Sequence, residues 1–434
     1  MVLVLNLVSA LVGRVWDSTG NGQESVMTGD PTRTTKQRYG QLAILTLAGG
    51  AVYPLIYLRQ NFEVSILESF NITITELGQC YGMLGVIFVA TYLPSGWLAD
   101  RVSPRWLISL SLVLIGLLGL WFATMPGFMG LQMIFAGWGI ASGLTFWAAL
   151  IKAVALLARH NEQGRFFGIL DGGRGLVEAI LASIAVALFS YGLDALALDT
   201  SDSLRNVIYL YVVTTFVIAP LVVWLVDDIQ DPDHESSSAE KPKFSWTDVQ
   251  LILKKEELWL AGFCILSGYQ LFWATYSFSG YLQNEYAMTA VTVGAITVAK
   301  LWMRPIGAIA AGFIGDKFNV EKTLAALMLA SSIALATLVF VPVTASAVVL
   351  LGIVLAIGLL TYAVRGVYWA TLDACGVPAR IKGLAIGIIS IIGYAPDIYL
   401  PLINGPLLEA YPGKTGYAIY FLGIAAFCLL GTAA

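Results

Sequence analysis

Charge is scarce in this sequence. Only 12% of its 434 residues are Asp, Glu, Lys or Arg, about half the ~25% usual in soluble domains. Histidine is nearly missing: His160 and His234 are the two copies, both in polar stretches, which argues against a histidine metal centre. The four cysteines, Cys80, Cys264, Cys375 and Cys428, each stand alone in an apolar run. That spacing gives neither a disulfide framework nor a zinc site. A net charge of −4 leaves no basic footprint for nucleic acid. There is no G-x-x-x-x-G-K phosphate loop, dinucleotide fingerprint or metal motif. ATP hydrolysis, a cofactor, a bound metal and enzyme chemistry are therefore not expected.

Apolar residues are what the chain has in quantity. They make up 58% of the sequence, and the mean hydropathy is +0.78. Most of the surface must then face lipid. Long apolar runs fall at 40–62, 77–99, 105–125, 128–158, 166–192 and 205–226, and again at 258–284, 289–314, 322–342, 346–373, 383–408 and 416–434. Runs of this length predict helices, because barrel strands need only about ten residues. Twelve spans in two sets of six predict an all-α membrane protein, with 39–226 and 258–434 as the halves and 227–257 as the linker. The linker opens acidic and serine-rich, hence flexible, and Phe244–Leu253 reads as a short amphipathic helix. Residues 1–38 form an N-terminal segment. Its first 26 residues read either as lying upstream of the true start or as a disordered extension. At the other end the last apolar run reaches Ala434 with no polar tail, which reads as truncation.

Basic residues set the expected orientation. With the N-terminus inside, sixteen Lys and Arg fall in cytoplasmic segments and two, Arg205 and Lys414, outside; the other six lie in spans. That bias places both termini in the cytoplasm. The outer loops read as acidic, with Glu63, Glu68, Glu76 and Asp194 among their residues.

The halves repeat each other. Gly96–Asp100 (GWLAD) ends the second span and Gly312–Asp316 (GFIGD) the eighth; Phe146–Leu150 (FWAAL) and Tyr368–Leu372 (YWATL) correspond in spans four and ten. Secondary transporters are commonly built from such repeats, with the substrate site where the repeats meet. The stretch Gly96-Trp-Leu-Ala-Asp-Arg-Val-Ser-Pro-Arg105 resembles the loop signature of the major facilitator superfamily, with Ser103 and Pro104 as departures. Its D-R-x-x-P-R form, the run Tyr57-Leu-Arg-Gln-Asn-Phe62, Lys152 and the Arg159–Gly164 turn are similar to the organophosphate and organic-anion branch, typified by glycerol-3-phosphate transporters. The resemblance implies the superfamily fold of two pseudo-symmetric six-helix bundles. It also implies alternating access and a latch in which Asp100 meets the start of span eleven near Lys382, with Asp316 doing the same near Arg165. Gly96, Arg101, Arg105 and Gly312 complete that gating motif. The branch's second arginine, in span seven, has no counterpart in Tyr269–Tyr281, which argues against a symmetric two-arginine clamp and phosphate exchange.

Six basic residues lie in spans (Arg59, Lys152, Arg174, Lys300, Arg304, Arg365) with four acids (Asp171, Glu178, Asp373, Asp397). A charge at the bilayer centre costs about 2.5–3.5 kcal/mol on the mildest scale, so each needs a partner or a cavity. The surplus of basic groups favours an anionic substrate. Arg59, Arg304, Lys300 and Lys152 are its candidate contacts, with Tyr57, Trp147, Trp273 and Tyr362 from the aromatic-rich spans one, four, seven and ten. Asp171, Arg174 and Glu178 share one helix face, beside which Gly172, Gly173 and Gly175 admit a neighbour. At ~1.5 Å per residue, Lys152 and Asp171 reach similar depth on consecutive spans, predicting an ion network. Glu178, about mid-membrane, is left over as the first candidate for proton coupling, with Asp171 and Asp397 as others. Arg365 is expected to pair with Asp397.

The reading is a monomeric secondary transporter of a small organic anion in a bacterial inner membrane, working by proton symport or anion exchange. Proton-coupled efflux of drugs or metabolites and a transporter-like sensor are the alternatives. The topology is directly testable. Green fluorescent protein fused after Ala434 is expected to fluoresce, and alkaline phosphatase at the same place to be inactive; the reverse pattern would overturn the orientation.

Overall fold

The computed structural model describes residues 34–99, 101–158, 162–227, 250, 253–371, 375 and 382–433. Among them are twelve helices long and apolar enough to cross a membrane, and no strand. They are α1 Thr35–Phe70, α2 Ile74–Ala99, α3 Pro104–Phe122, α4 Phe128–Leu157, α5 Gln163–Asp194 and α6 Thr200–Leu225. The second six are α7 Glu256–Tyr286, α8 Ala290–Phe318, α9 Val320–Phe340, α10 Ala347–Ala370, α11 in two pieces (Lys382–Gly393 and Pro396–Ala410) and α12 Lys414–Ala433. They form two pseudo-symmetric six-helix bundles. Trp224, Phe313, Phe340 and Val348 are 74–76% exposed on the outer surface, as expected where the neighbour is acyl chain rather than water. The expected amphipathic helix at 244–253 and residues 1–26 lie outside the described residues.

The helices near the middle of the molecule are broken. In α1 the backbone leaves helical geometry at Tyr57 (φ −102°, ψ 33°), three residues after Pro54, and again at Phe62. A π-turn interrupts α4 at Ile140–Leu144. One turn of 3₁₀ helix occurs in α7 at Thr275–Ser277 and ends α10 at Tyr368–Ala370. Proline at 396 restarts α11 after its break. Irregular backbone at membrane depth is tolerated only inside protein or along a cavity, so these breaks mark the central faces.

Two of the contacts between the bundles lie along α2 and α11 and between α1 and α7. Along α2 and α11 the backbones nearly touch: a Cβ added to Gly78 would lie 2.2 Å from the Pro401 carbonyl oxygen, and one on Gly85 2.5 Å from that of Asp397. Small residues permit this approach, which supplies packing where no hydrophobic force acts between helices. The second contact lies between the latter part of α1 and the end of α7. There Ser279 Oγ donates to the Asn61 carbonyl at 3.3 Å. Arg59 Nε donates to Glu63 Oε2 at 2.5 Å, and both side chains are almost fully buried. Glu63 is thus a buried acid within a helix and not part of an outer loop. The apolar run ends at residue 62, but the helix continues to Phe70, and Arg59 one turn earlier neutralises the carboxylate.

Gly280 is the tightest point of this contact, since an added Cβ would lie 2.0 Å from Glu63 Oε1. Gly280→Ala is expected to wedge this end open. Spin labels on Glu68 and Ala287, in a cysteine-free background, should show a longer distance population by double electron–electron resonance. An unchanged distribution would show that Gly280 does not hold this contact closed.

Candidate functional site

A cavity of about 330 Å³ lies between the bundles, within the usual range for small-molecule sites. It runs from Tyr57 past Phe88 and Tyr92 to Ser95 on α2, and to Ser390 on α11. Ser95 precedes the Gly96–Arg105 loop, so the cavity extends toward the membrane face carrying that loop, away from the Arg59–Glu63 contact.

Five charged side chains line it: Arg174, Glu178, Arg304, Arg365 and Asp397. Arg304, from α8, crosses to the other bundle. Its Nη1 donates to Glu178 Oε2 at 2.7 Å and its Nη2 to Asp171 Oδ1 at 3.1 Å, both on α5. Gly175, between those acids, makes the crossing possible, because a Cβ there would lie 2.8 Å from Arg304 Cδ. Of the neighbouring glycines, Gly173 admits Thr46 of α1, while Gly172 faces open space. Arg174 lies across α1, donating from Nε to the Gly49 carbonyl at 3.1 Å. It sits 5.0 Å from the Trp147 ring and 5.6 Å from that of Tyr53, and its Nη1 is 4.0 Å from Asp171.

The predicted Lys152–Asp171 pairing is corrected here. Lys152 Nζ donates to the Ala99 carbonyl at 3.0 Å, at the end of α2, and Asp171 is held by Arg304 and Arg174. Equal depth on consecutive helices does not place two side chains on facing sides. The predicted Arg365–Asp397 pair is corrected as well. Asp397 Oδ1 accepts from Tyr269 Oη at 2.8 Å and from Trp273 Nε1 at 2.6 Å. Arg365 instead lies 4.0 Å over the Phe272 ring and 5.6 Å from that of Tyr269. It has no ion pair or hydrogen bond to any described residue. All these donors and rings belong to α7, which stands between the two charges. Asp397 also occupies the first turn of the Pro396–Ala410 piece, where the helix dipole favours an anion.

Among the remaining predicted site residues, Tyr57 and Trp147 line the cavity. Tyr57 stacks on Tyr276 at 5.4 Å with planes 7° apart. Trp273 stands behind the wall as a donor to Asp397, and Tyr362 lies beneath Arg304, its ring 6.0 Å from the guanidinium carbon. Arg59 is at the α1–α7 contact, held by Glu63. Lys300 is fully buried; its Nζ donates to Thr275 Oγ1 at 3.0 Å, and its stem packs on Gly358 of α10. In the loop motif Arg101 stacks 3.8 Å over Trp97 and Arg105 lies 5.5 Å from the Trp106 ring. Gly96 and Gly312 face open space. The Asp100 latch, Arg159 and Asp373 lie outside the described residues, and Asp316 falls in the last turns of α8. No cluster able to hold a metal occurs among the described residues. Sequence reasoning had paired Arg365 with Asp397 and set Arg174 in an ion network; the excess of six basic over four acidic residues in the spans was the usable signal.

A family model described as Major Facilitator Superfamily matches residues 43–401. The inner membrane protein YihN of Escherichia coli (strain K12) is 27% identical over 402 residues, covering 92% of this chain and 94% of that protein. YqcE, an inner membrane protein of the same organism, is 29% identical over 398 residues, covering 90% and 92%. Among solved structures, a bacterial homologue of the human lysosomal transporter Spinster, inward-facing and unoccupied, superposes with a TM-score of 0.72 at 15% identity, covering 92% of this chain and 98% of that one. The nucleoside transporter NupG gives 0.69 at 14%, with the same coverage.

Removing one member of a buried ion pair strands the other, typically at about 3–5 kcal/mol. Asp171 is half-exposed, so Arg304→Ala is expected to cost roughly 3 kcal/mol, the low end of that range. A double-mutant cycle with Glu178→Ala, followed by thermal unfolding in detergent, should give a coupling above about 1 kcal/mol. Additive effects would show that the contact carries no energy.

Proposed function

Because the chain belongs to the major facilitator superfamily, we propose that it is a secondary transporter that moves a small organic anion through the bilayer by alternating access. The observation that carries the reading is Arg365: a guanidinium on the cavity wall, with no protein acceptor among the described residues. Five donors in a planar fork suit carboxylate, sulfonate or phosphate. Arg304 is a second contact, which an entering anion would reach by competing with Glu178, and Arg174 a third.

Charge balance supports the coupling. Arg174, Arg304 and Arg365 oppose Asp171, Glu178 and Asp397, three against three when all are ionised. An anion entering a closed, dry cavity leaves one negative charge in excess, which is costly at low dielectric. A proton arriving with it, or a second anion leaving, restores the balance. Glu178 is our candidate for that proton, since an anion taking Arg304 would release its carboxylate; Asp171 and Asp397 are less directly engaged. Residues 39–226 and 258–434 are the two rocking units, joined through 227–257. Arg59 and Glu63 close the far end, and the single chain holding the whole cavity is the working unit. The names of the bacterial relatives support an inner-membrane location, and the basic loops support cytoplasmic termini and a cavity open inward. The aromatic walls, with Tyr57 on Tyr276, favour efflux of ring-bearing metabolites as the second reading.

Proteoliposomes given labelled carboxylates, sulfonates and sugar phosphates under an imposed pH gradient test this. Arg365→Ala and Arg304→Ala should each lower specific uptake by at least about a hundred-fold, the loss of two charge-assisted hydrogen bonds. Glu178→Gln should lose accumulation driven by the pH gradient but keep counterflow. Arg59→Ala should slow transport without changing the half-saturation concentration. Full uptake in both of the first two variants would end the anion reading.

A further inference from the structure

We propose that the transported anion is hydroxylated, with Asp397 accepting hydrogen bonds from its hydroxyl groups while Arg365 holds its acidic end; this rests on the anion reading above. Asp397 and Arg365 line one cavity from α11 and α10, yet no N···O distance between them falls within ion-pair range. Mutual neutralisation would be the inexpensive arrangement. Instead Tyr269 and Trp273 hold Asp397 through Oδ1, and Phe272 stacks under Arg365. Oδ2 has no protein partner among the described residues, and Asp397 opens onto the cavity. An ionised carboxylate is acceptor-only, so whatever completes its shell must donate. Arg365 is donor-only, so whatever completes its shell must accept. One ligand that satisfies both carries an acidic group and a donor.

The donor is a hydroxyl on the character of the walls. Tyr53, Tyr57, Tyr92 and Ser390 also line the cavity, while the hydroxyls of Ser95 and Ser142 there already donate to the Tyr92 and Trp138 carbonyls. Phenol and alcohol groups both donate and accept, which matches hydroxyls and is wasted on an ammonium, which only donates.

Purified protein in detergent, followed by thermal unfolding, tests this with matched pairs: gluconate and hexanoate, glycerol 3-phosphate and propyl phosphate, isethionate and ethanesulfonate, with sorbitol as an uncharged polyol. In at least one pair the hydroxylated member is expected to bind at least about ten-fold more tightly, the worth of one hydrogen bond to a charged group. Asp397→Asn should shrink that ratio below about three-fold, and Arg365→Ala should remove both members of the pair. Trp273→Phe, which leaves the carboxylate in place, should weaken the hydroxylated anion alone and serves if the Asn variant does not fold. Equal affinities within every pair leave the anion site standing and overturn the hydroxyl assignment, as does a preference that survives Asp397→Asn. Stabilisation by sorbitol alone, or by none of the probes, overturns it too; in the sorbitol case the anion reading falls with it.

Discussion

Lipid offers no water to a charge, and much of this architecture follows from that one constraint. Arg304 would be expensive on any face of α8 except one, and on that face it reaches Asp171 and Glu178 of the opposite bundle. The three groups convert a solvation problem into an adhesive between halves. Because the adhesive is ionic and faces a cavity, it can exchange partners with a charged visitor, which an apolar seam could not do. Such a contact holds the bundles in register and lets a ligand act on their association.

The helix breaks serve the same cavity. A regular helix satisfies its own backbone and offers a neighbour only side chains. At Tyr57, in the π-turn of α4 and at the 3₁₀ turn of α7, the backbone leaves that pattern beside the cavity. The α2–α11 seam behaves differently: backbone meets backbone at Gly78 and Gly85, the Leu402 side chain fits against Gly82, and Thr75 N donates to Glu409 Oε1 at 3.3 Å.

The twelve spans, their pairing into halves and the duplication were legible from hydropathy and from GWLAD against GFIGD, because lipid thickness fixes span length. Charge partners were not legible. Sequence gives a residue's depth along its helix but not which way the helix is turned or what stands between two helices. Arg365 and Asp397 were correctly placed in spans ten and eleven, and α7 intervenes with better donors. Glu63 was read as a loop acid because hydropathy falls where Arg59, Gln60 and Asn61 crowd together, although all three are buried at the α1–α7 contact. The local rule that polar residues end a span failed where the structure needed a polar contact inside it.

The cancelling charges around the cavity have an electrical consequence. Moving one elementary charge through a membrane potential of 100 mV changes its energy by about 2.3 kcal/mol. When ionised, Arg174, Arg304 and Arg365 are balanced by Glu178, Asp397 and the nearby Asp171, so this set transfers no net charge when the carrier swings back empty and gives voltage little hold on the return stroke. Any electrogenic step then belongs to the loaded half of the cycle, and its size is set by what the cargo brings with it.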